Sequence, residues 1–292
     1  MIIRVNRYLL NVALVLVLLL SFAFSGYQAW SDAILTGDAN PVYVPILMYH
    51  EIKPYKLGKD VISPYEFESD LKYLKANHYN TITMTQLINY VNGGELLPEN
   101  PIILSFDDGY LSTYKYAFPL LQKYNAKIVF SIIGKNTDDF TRIPDDNLDY
   151  SHVTWAQLSD MLDSGLVEVQ NHTYNLHAIK GRFGCLQLSS ESFEHYEKVL
   201  TDDIEKLQNE LLIITGSLPN TFTYPYGKKS DSTEKIIKKL GFEATLSCDY
   251  GINKITNDPD VLYGLKRICR SHGGDLGKFL KEAQKTLRLK KK

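Results

Sequence analysis

Residues 102–109 read Ile-Ile-Leu-Ser-Phe-Asp-Asp-Gly. A short apolar run ends abruptly in two carboxylates and a glycine, the pattern of a buried strand whose C-terminal end opens on a site. Adjacent strand residues point to opposite sides, so Asp107 and Asp108 are expected to do different jobs. Side by side the two acids repel, and one would keep its proton unless a cation lies near. A divalent metal resolves that conflict, with one Asp binding it and the other left free as a base. Read alone, the same residues also make an ordinary Asp-Gly turn, so their surroundings decide.

Outward from this strand, short apolar runs alternate with helical patterns. Strands are expected over 44–48, 81–83, 102–106, 127–133, 166–170, 221–224, 244–247 and 264–268. Helices are expected over 64–77, 84–92, 112–124, 155–164, 190–214, 232–240 and 275–287, with Asn77-His78 and Asp163-Ser164-Gly165 as helix stops. This alternation makes an α/β protein with parallel strands and helical crossovers. Periodicity alone does not separate an open sheet from a (β/α) barrel, and seven or eight units favour the barrel. In both, chemistry belongs at the C-terminal ends of the strands. Residues 178–190 break the alternation and read as a long loop near that end.

Two further strand ends carry suggestive residues. His172-Thr-Tyr-Asn-Leu-His177 follows the strand expected over 166–170. A five-residue spacing does not align two histidines on a helix face, but a loop can fold both toward one ion, and His is the commonest transition-metal ligand. With Asp108 they form a His₂Asp set, and three protein ligands leave positions open for water, as in a catalytic site. Phe222-Thr-Tyr224-Pro225-Tyr226-Gly227 ends another strand. Pro and Gly there make a rigid turn, or hold a backbone N–H toward the site as an oxyanion donor.

The chain has 292 residues, 32 Lys+Arg against 34 Asp+Glu and a net charge of −2, which gives no bulk attraction to nucleic acid. The apolar residues are uneven. Arg4 and Arg7 precede a 17-residue apolar stretch, Tyr8 to Phe24, and no acid appears before Asp32. A basic start and then an apolar run read as a signal peptide or membrane anchor over 1–30, placing the rest of the chain outside the cytoplasmic membrane. Residues 31–42 read as a linker, 43–274 as one domain and 275–292 as a helix with a basic tail. From Lys278 the chain carries seven basic residues against Glu282, a solvated helix or a patch for anionic wall polymer or membrane. Cys185, Cys248 and Cys269 are too few for a disulfide framework and read as free buried cysteines.

Taken together and in this order, Ser105-Phe106-Asp107-Asp108-Gly109, the His172/His177 pair and the Tyr224-Pro225-Tyr226-Gly227 turn resemble the polysaccharide deacetylases (carbohydrate esterase family 4, the NodB-homology group) over roughly residues 44–270. The resemblance implies a distorted (β/α) barrel and a divalent metal, most often zinc with cobalt or nickel as alternatives, held by Asp108, His172 and His177. It also implies removal of N-acetyl groups from GlcNAc-containing polymers such as peptidoglycan or poly-GlcNAc. Asp107 would be the general base, and the Tyr226 N–H the oxyanion donor. Two details depart from the commonest pattern: the histidines are five apart rather than four, and Thr223 stands where Arg is usual. With Met48-Tyr49-His50 near the start, these departures resemble the exopolysaccharide and cell-wall branch, which implies His50 as the general acid and His272 as its competitor. The missing arginine leaves the partner of Asp107 open, and Arg267 is the candidate. Among the loop aromatics Tyr110, Tyr174, Tyr224 and Tyr226, only Tyr226 is expected to meet the sugar. Two other functions fit the same scaffold: an O-acetyl esterase on a glycan such as xylan, and a catalytically silent carbohydrate-binding protein.

Overall fold

The computed structural model describes residues 41–289, together with Ser21. Apart from Ser21, the leader lies outside the described residues, as do most of the linker and the last three lysines. Among the described residues no helix is long and apolar enough to cross a membrane.

The strand around Ser105 runs from Pro101 to Phe106 (β6) and is buried throughout. Before it come β1 (Val42–Val44), β2 (Ile46–Tyr49), β3 (Glu51–Ile52), β4 (Val61–Ile62) and β5 (Asn80–Thr81). After it come β7 (Ile128–Ile132), β8 (Val167–Asn171), β9 (Thr221–Thr223), β10 (Ala244–Tyr250), β11 (Asn253–Ile255) and β12 (Leu265–Cys269). Strands β2, β12, β10, β9, β8, β7 and β6 follow one another in parallel, and β6 returns to β2, closing a seven-stranded barrel. The expected (β/α) barrel is therefore the fold. Its distortion lies at β5, which has only two residues, pairs with the start of β6 and reaches β7 through a 2.8 Å bond from the Lys127 N–H to Thr81 Oγ1. On its other edge β6 pairs with β2, from Ile46↔Ile103 to Tyr49↔Phe106.

Strand alternation sorts the core into two layers. Leu47, Tyr49, Leu104, Phe106, Phe130 and Ile268 pack outward into the helix layer, while Ile46, Ile103, Val129 and Leu265 fill the barrel. Toward the C-terminal ends the inward positions turn polar: Ser105, Ser131, Thr223 and Arg267 are all buried. Ser131 and Thr223 share a 2.7 Å hydroxyl bond across the barrel.

The helices are α1 (Pro64–Ala76), α2 (Met84–Val91), α3 (Phe118–Tyr124), α4 (Gly134–Arg142), α5 (Trp155–Asp163), α6 (Phe193–Thr215), α7 (Thr233–Lys239) and α8 (Leu276–Leu289). Three begin with reciprocal capping boxes, Ser63/Glu66, Thr83/Gln86 and Thr154/Gln157, which satisfy otherwise unpaired N–H groups. Capping also explains why the strand expected over 81–83 stops at Thr81: Thr83 is already the cap of α2. The expected helix over 112–124 is a π-turn at Thr113–Ala117 running into α3. Several elements escape the pattern reading, among them the two-residue strands β3 and β4, which pair with each other. Helix α4 is mostly polar, with only Gly134 and Thr137 buried, and β11 is a three-residue strand made by pairing with β1. Helix α8 is tied to the barrel by Leu276, Leu280 and Ala283 in the outward core layer. Arg270, just past β12, clamps α1 through two bonds to Asp70 at 2.8 and 3.0 Å.

Candidate active site

The site grows from the end of β6. The Asp107 N–H still donates to the Tyr49 carbonyl at 3.0 Å, so Asp107 extends the β2–β6 ladder. It keeps the inward direction of Ile103 and Ser105. Asp108 does not continue the alternation. Its φ of +71° turns the backbone left-handed, and both carboxylates open on the same cleft. The expectation that they point to opposite sides is thus corrected, because the strand has ended before Asp108. Gly109 follows at φ +83°, where an added Cβ would lie 3.2 Å from Ile132 Cβ, so the second left-handed step and the close approach both call for glycine.

Arg267, on β12 and 1% exposed, reaches across the barrel. Its Nη1 donates to Asp107 Oδ1 at 2.7 Å and to Ser105 Oγ at 3.2 Å, and its Nε donates to the Ser247 carbonyl at 2.7 Å. Burial alone would push the Asp107 carboxyl up, but the Arg267 guanidinium, with His172 and His50, outweighs it and holds the acid below its ordinary value.

Asp108 Oδ1 lies 3.3 Å from His172 Nε2 and 3.1 Å from His177 Nε2. One ligand atom from each of the three residues falls within 4.8 Å of the others. Burial raises the Asp108 carboxyl, and the two imidazoles more than offset it, leaving the acid well below its ordinary range. His172 Nδ1 sits 2.7 Å from the Thr223 carbonyl. A carbonyl only accepts, so Nδ1 carries the proton and Nε2 offers its lone pair inward. Metal-binding histidines are commonly oriented in this way. The donor set fits a divalent transition metal: two imidazole nitrogens and one carboxylate, already convergent.

Beside Tyr224 the chain makes a tight turn over Pro225–Gly227, with Tyr226 at φ +56°. The Tyr226 ring packs on His177 at 4.3 Å and on Phe183 at 5.1 Å. Phe183 belongs to the long loop over 178–190, which docks on this turn through the Cys185 N–H to the Lys228 carbonyl at 3.1 Å. His50 follows β2 and lines the cleft. Its Nδ1 is 3.9 Å from Asp60, too far for a hydrogen bond.

The cleft, about 540 Å³, brings together His50, Asp107, Asp108, His172, His177, Tyr226 and Arg267. His272 is not among its walls. That side chain is 45% exposed and bonds Glu66 at 2.9 Å, so it is no rival to His50 in this cleft. Tyr110 lines the cleft, whereas Tyr224 is fully buried and Tyr174 bonds Asp138. Of the cysteines only Cys185 is buried, and Cys248 and Cys269 line the cleft as free thiols. Glu51, Lys59, Asp60 and Tyr250 also line it and escaped the sequence reading. The neighbours of His50 were the available signal for Glu51. No spacing pointed to Tyr250, which lies beyond the expected end of its strand.

The family model described as polysaccharide deacetylase matches residues 95–245, just over half of the chain. The chain belongs to the polysaccharide deacetylase family. The match contains both carboxylates, both histidines and the Tyr226 turn. The chain is 26% identical over 212 residues to the poly-β-1,6-N-acetyl-D-glucosamine N-deacetylase of Escherichia coli K12, covering 65% of this chain but only 32% of that one. The chain thus matches about a third of the length of that relative. It is 28% identical over 226 residues to the enzyme of the same name from Staphylococcus epidermidis, covering 76% and 70% of the two chains. Among solved structures, a de-N-acetylase from Aggregatibacter actinomycetemcomitans superposes with a TM-score of 0.68 at 27% identity, over 82% of this chain and 99% of that chain.

Proposed function

We propose that this chain hydrolyses N-acetyl groups of a GlcNAc-containing polysaccharide, releasing acetate and leaving a free amine, with poly-β-1,6-N-acetyl-D-glucosamine as the first substrate. The observation that carries this reading is one cleft holding a buried carboxylate fixed by Arg267, a convergent His₂Asp set and a free histidine. The names of the relatives support the choice of polymer. The apolar leader supports an extracytoplasmic place of action, secreted or anchored to the outer face of the membrane, where such polymers lie.

Asp108, His172 and His177 would hold the metal, zinc first and cobalt or nickel as alternatives. When bound, such an ion polarises a carbonyl and lowers the pKa of water from 15.7 to about 7. The chain's own residues do the rest. Asp107 is kept ionised and aimed by Arg267, so its free oxygen accepts a proton from the attacking water. The backbone N–H of Tyr226 donates to the developing oxyanion. His50 gives a proton to the departing nitrogen, so the C–N bond breaks to an amine. The Tyr226 ring shields the site beside His177. Each proton transfer is worth about 10²–10⁴-fold in rate.

The test is acetate release by the purified, metal-loaded protein from poly-β-1,6-GlcNAc, peptidoglycan, chitin oligomers and acetylated xylan. Release from a GlcNAc polymer is expected, with Asp107→Asn and His172→Ala both nearly silent. Full activity in either variant would sink the assignment. Release from xylan alone would replace it by an esterase, and bound glycan without acetate by a silent binding protein.

A further inference from the structure

The strand β10 does not stop at Ser247. Leu246 pairs with Leu265 and Tyr250 with Arg267, so four residues of β10 span what two residues of β12 span. Extra residues of this kind bend a strand, re-aim its side chains and gather beside active sites. The bulge is pinned at its base. Ser247 Oγ donates to the Leu265 carbonyl at 3.1 Å and accepts the Asp249 N–H at 3.1 Å. Just beyond, the Asn253 side chain exchanges two 2.9 Å bonds with the Lys266 backbone.

Tyr250 emerges from this bulge into the catalytic cleft and is 49% exposed. The other two cleft tyrosines are engaged: Tyr110 stacks on His152 at 4.8 Å, and Tyr226 packs on His177. The Tyr250 ring has no aromatic or cationic partner among the described residues. Around the seven-stranded ring β10 lies opposite β6, so Tyr250 stands on the wall across from Asp107, Asp108 and Tyr110. The cleft is in the size range that encloses a whole small molecule, more than an acetamido group requires.

We infer that Tyr250 is a stacking platform for the pyranose ring next to the one that loses its acetyl group. A tyrosine offers an apolar face to the C–H patch of a sugar while its hydroxyl stays wet. The pinned bulge holds that face in place before substrate arrives, which lowers the ordering cost of binding. The inference rests on the glycan-deacetylase reading above, and it adds a subsite that makes activity depend on chain length.

The experiment compares wild type, Tyr250→Ala and Tyr250→Phe on β-1,6-linked GlcNAc from monomer to pentamer and on 4-nitrophenyl acetate. In Tyr250→Ala, KM for the longer oligomers is expected to rise roughly five- to tenfold. Turnover of the monomer and of the small ester should stay at the wild-type level, and Tyr250→Phe should match wild type throughout. Equal KM values at every length would overturn the platform, and so would an equal loss on monomer and pentamer, which marks a structural role. Calorimetric binding of the pentamer to Asp107→Asn, with and without Tyr250→Ala, reads the same contact without turnover. A five- to tenfold weaker Kd supports the platform, and an unchanged Kd removes it. If wild type released no acetate while this binding difference held, the deacetylase reading would fail and the sugar platform would stand.

Discussion

Arg267 shows how one side chain can serve two ends. It is buried among barrel residues, with its charge met by Asp107 and its other nitrogens by Ser105, the Ser247 carbonyl and the Cys248 sulfur. Removing it leaves Asp107 as an unpaired buried acid, so Arg267→Met should cost about 3–5 kcal/mol in denaturant unfolding. Arg267→Lys keeps a charge but loses the planar fork, and should keep most of the stability while acetate release falls at least tenfold. Asp107→Asn should lower acetate release by about 10²–10⁴-fold with metal content unchanged, measured by turnover beside elemental analysis. At this scale the sequence was informative where residue type and strand end coincide. Asp107, Asp108, His172 and His177 could be picked out because the carboxylates and imidazoles end two of the expected strands together, although each motif alone reads equally as a turn or an incidental pair. The fit between Arg267 and Asp107 could only be suggested, since it spans 160 positions in the chain and depends on barrel closure. Asp108 was misjudged because period-two alternation says nothing once a residue turns to positive φ.

Among the elements, the most legible were those that carry both an apolar period and a cap. Helices α1, α2 and α5 begin where Ser or Thr precedes Glu or Gln by three residues. Helix α4 lacks an apolar stripe, and β11 exists through its partner β1, so neither leaves a local signal. The cap of α1 makes a pH prediction. Burial opposes ionisation of Glu66, but N–H donors from Gly273 and Ser63, then His272 and the Ser63 hydroxyl, outweigh it and bring the carboxyl from 4.5 down to about 2. A depressed acid stabilises the fold fully above its unfolded value and progressively less as pH falls toward the folded one. Thermal stability should therefore drop between about pH 4.5 and 2, and Glu66→Gln should flatten that part of the curve. The loop over 178–190 makes a second prediction. A Cβ on Gly184, at φ +59°, would meet the Pro225 carbonyl oxygen at 2.6 Å. Gly184→Ala should therefore cost about 1–3 kcal/mol and lower turnover, because the displaced loop releases Phe183 from Tyr226. Unchanged Tm and turnover would show that the loop does not brace the turn.

For the whole molecule, the proposed metal ligands come from the ends of two strands, β6 and β8, that are 64 residues apart between Asp108 and His172. Only the folded barrel brings them together, so an ion that binds there stabilises the native state alone. Adding zinc at about a hundred times its Kd to chelator-treated protein should contribute about 2.7 kcal/mol, read as a rise in Tm that is absent in Asp108→Ala. Barrel topology was readable from strand–helix alternation, but the choice between seven and eight strands was not, because the strand expected over 81–83 has only two paired residues and stays out of the closed ring. The pairing that closes the barrel sets the geometry of the proposed catalytic pair. Strands β2 and β6 lie side by side, and His50 and Asp107 each come directly after the paired run Tyr49↔Phe106. The spacing between the proposed proton donor and acceptor is therefore a dimension of the backbone, fixed by neighbouring rungs rather than by side-chain reach. Anyone transplanting this chemistry into another barrel would have to copy two strands in register, 46–50 against 103–107, before choosing a single side chain.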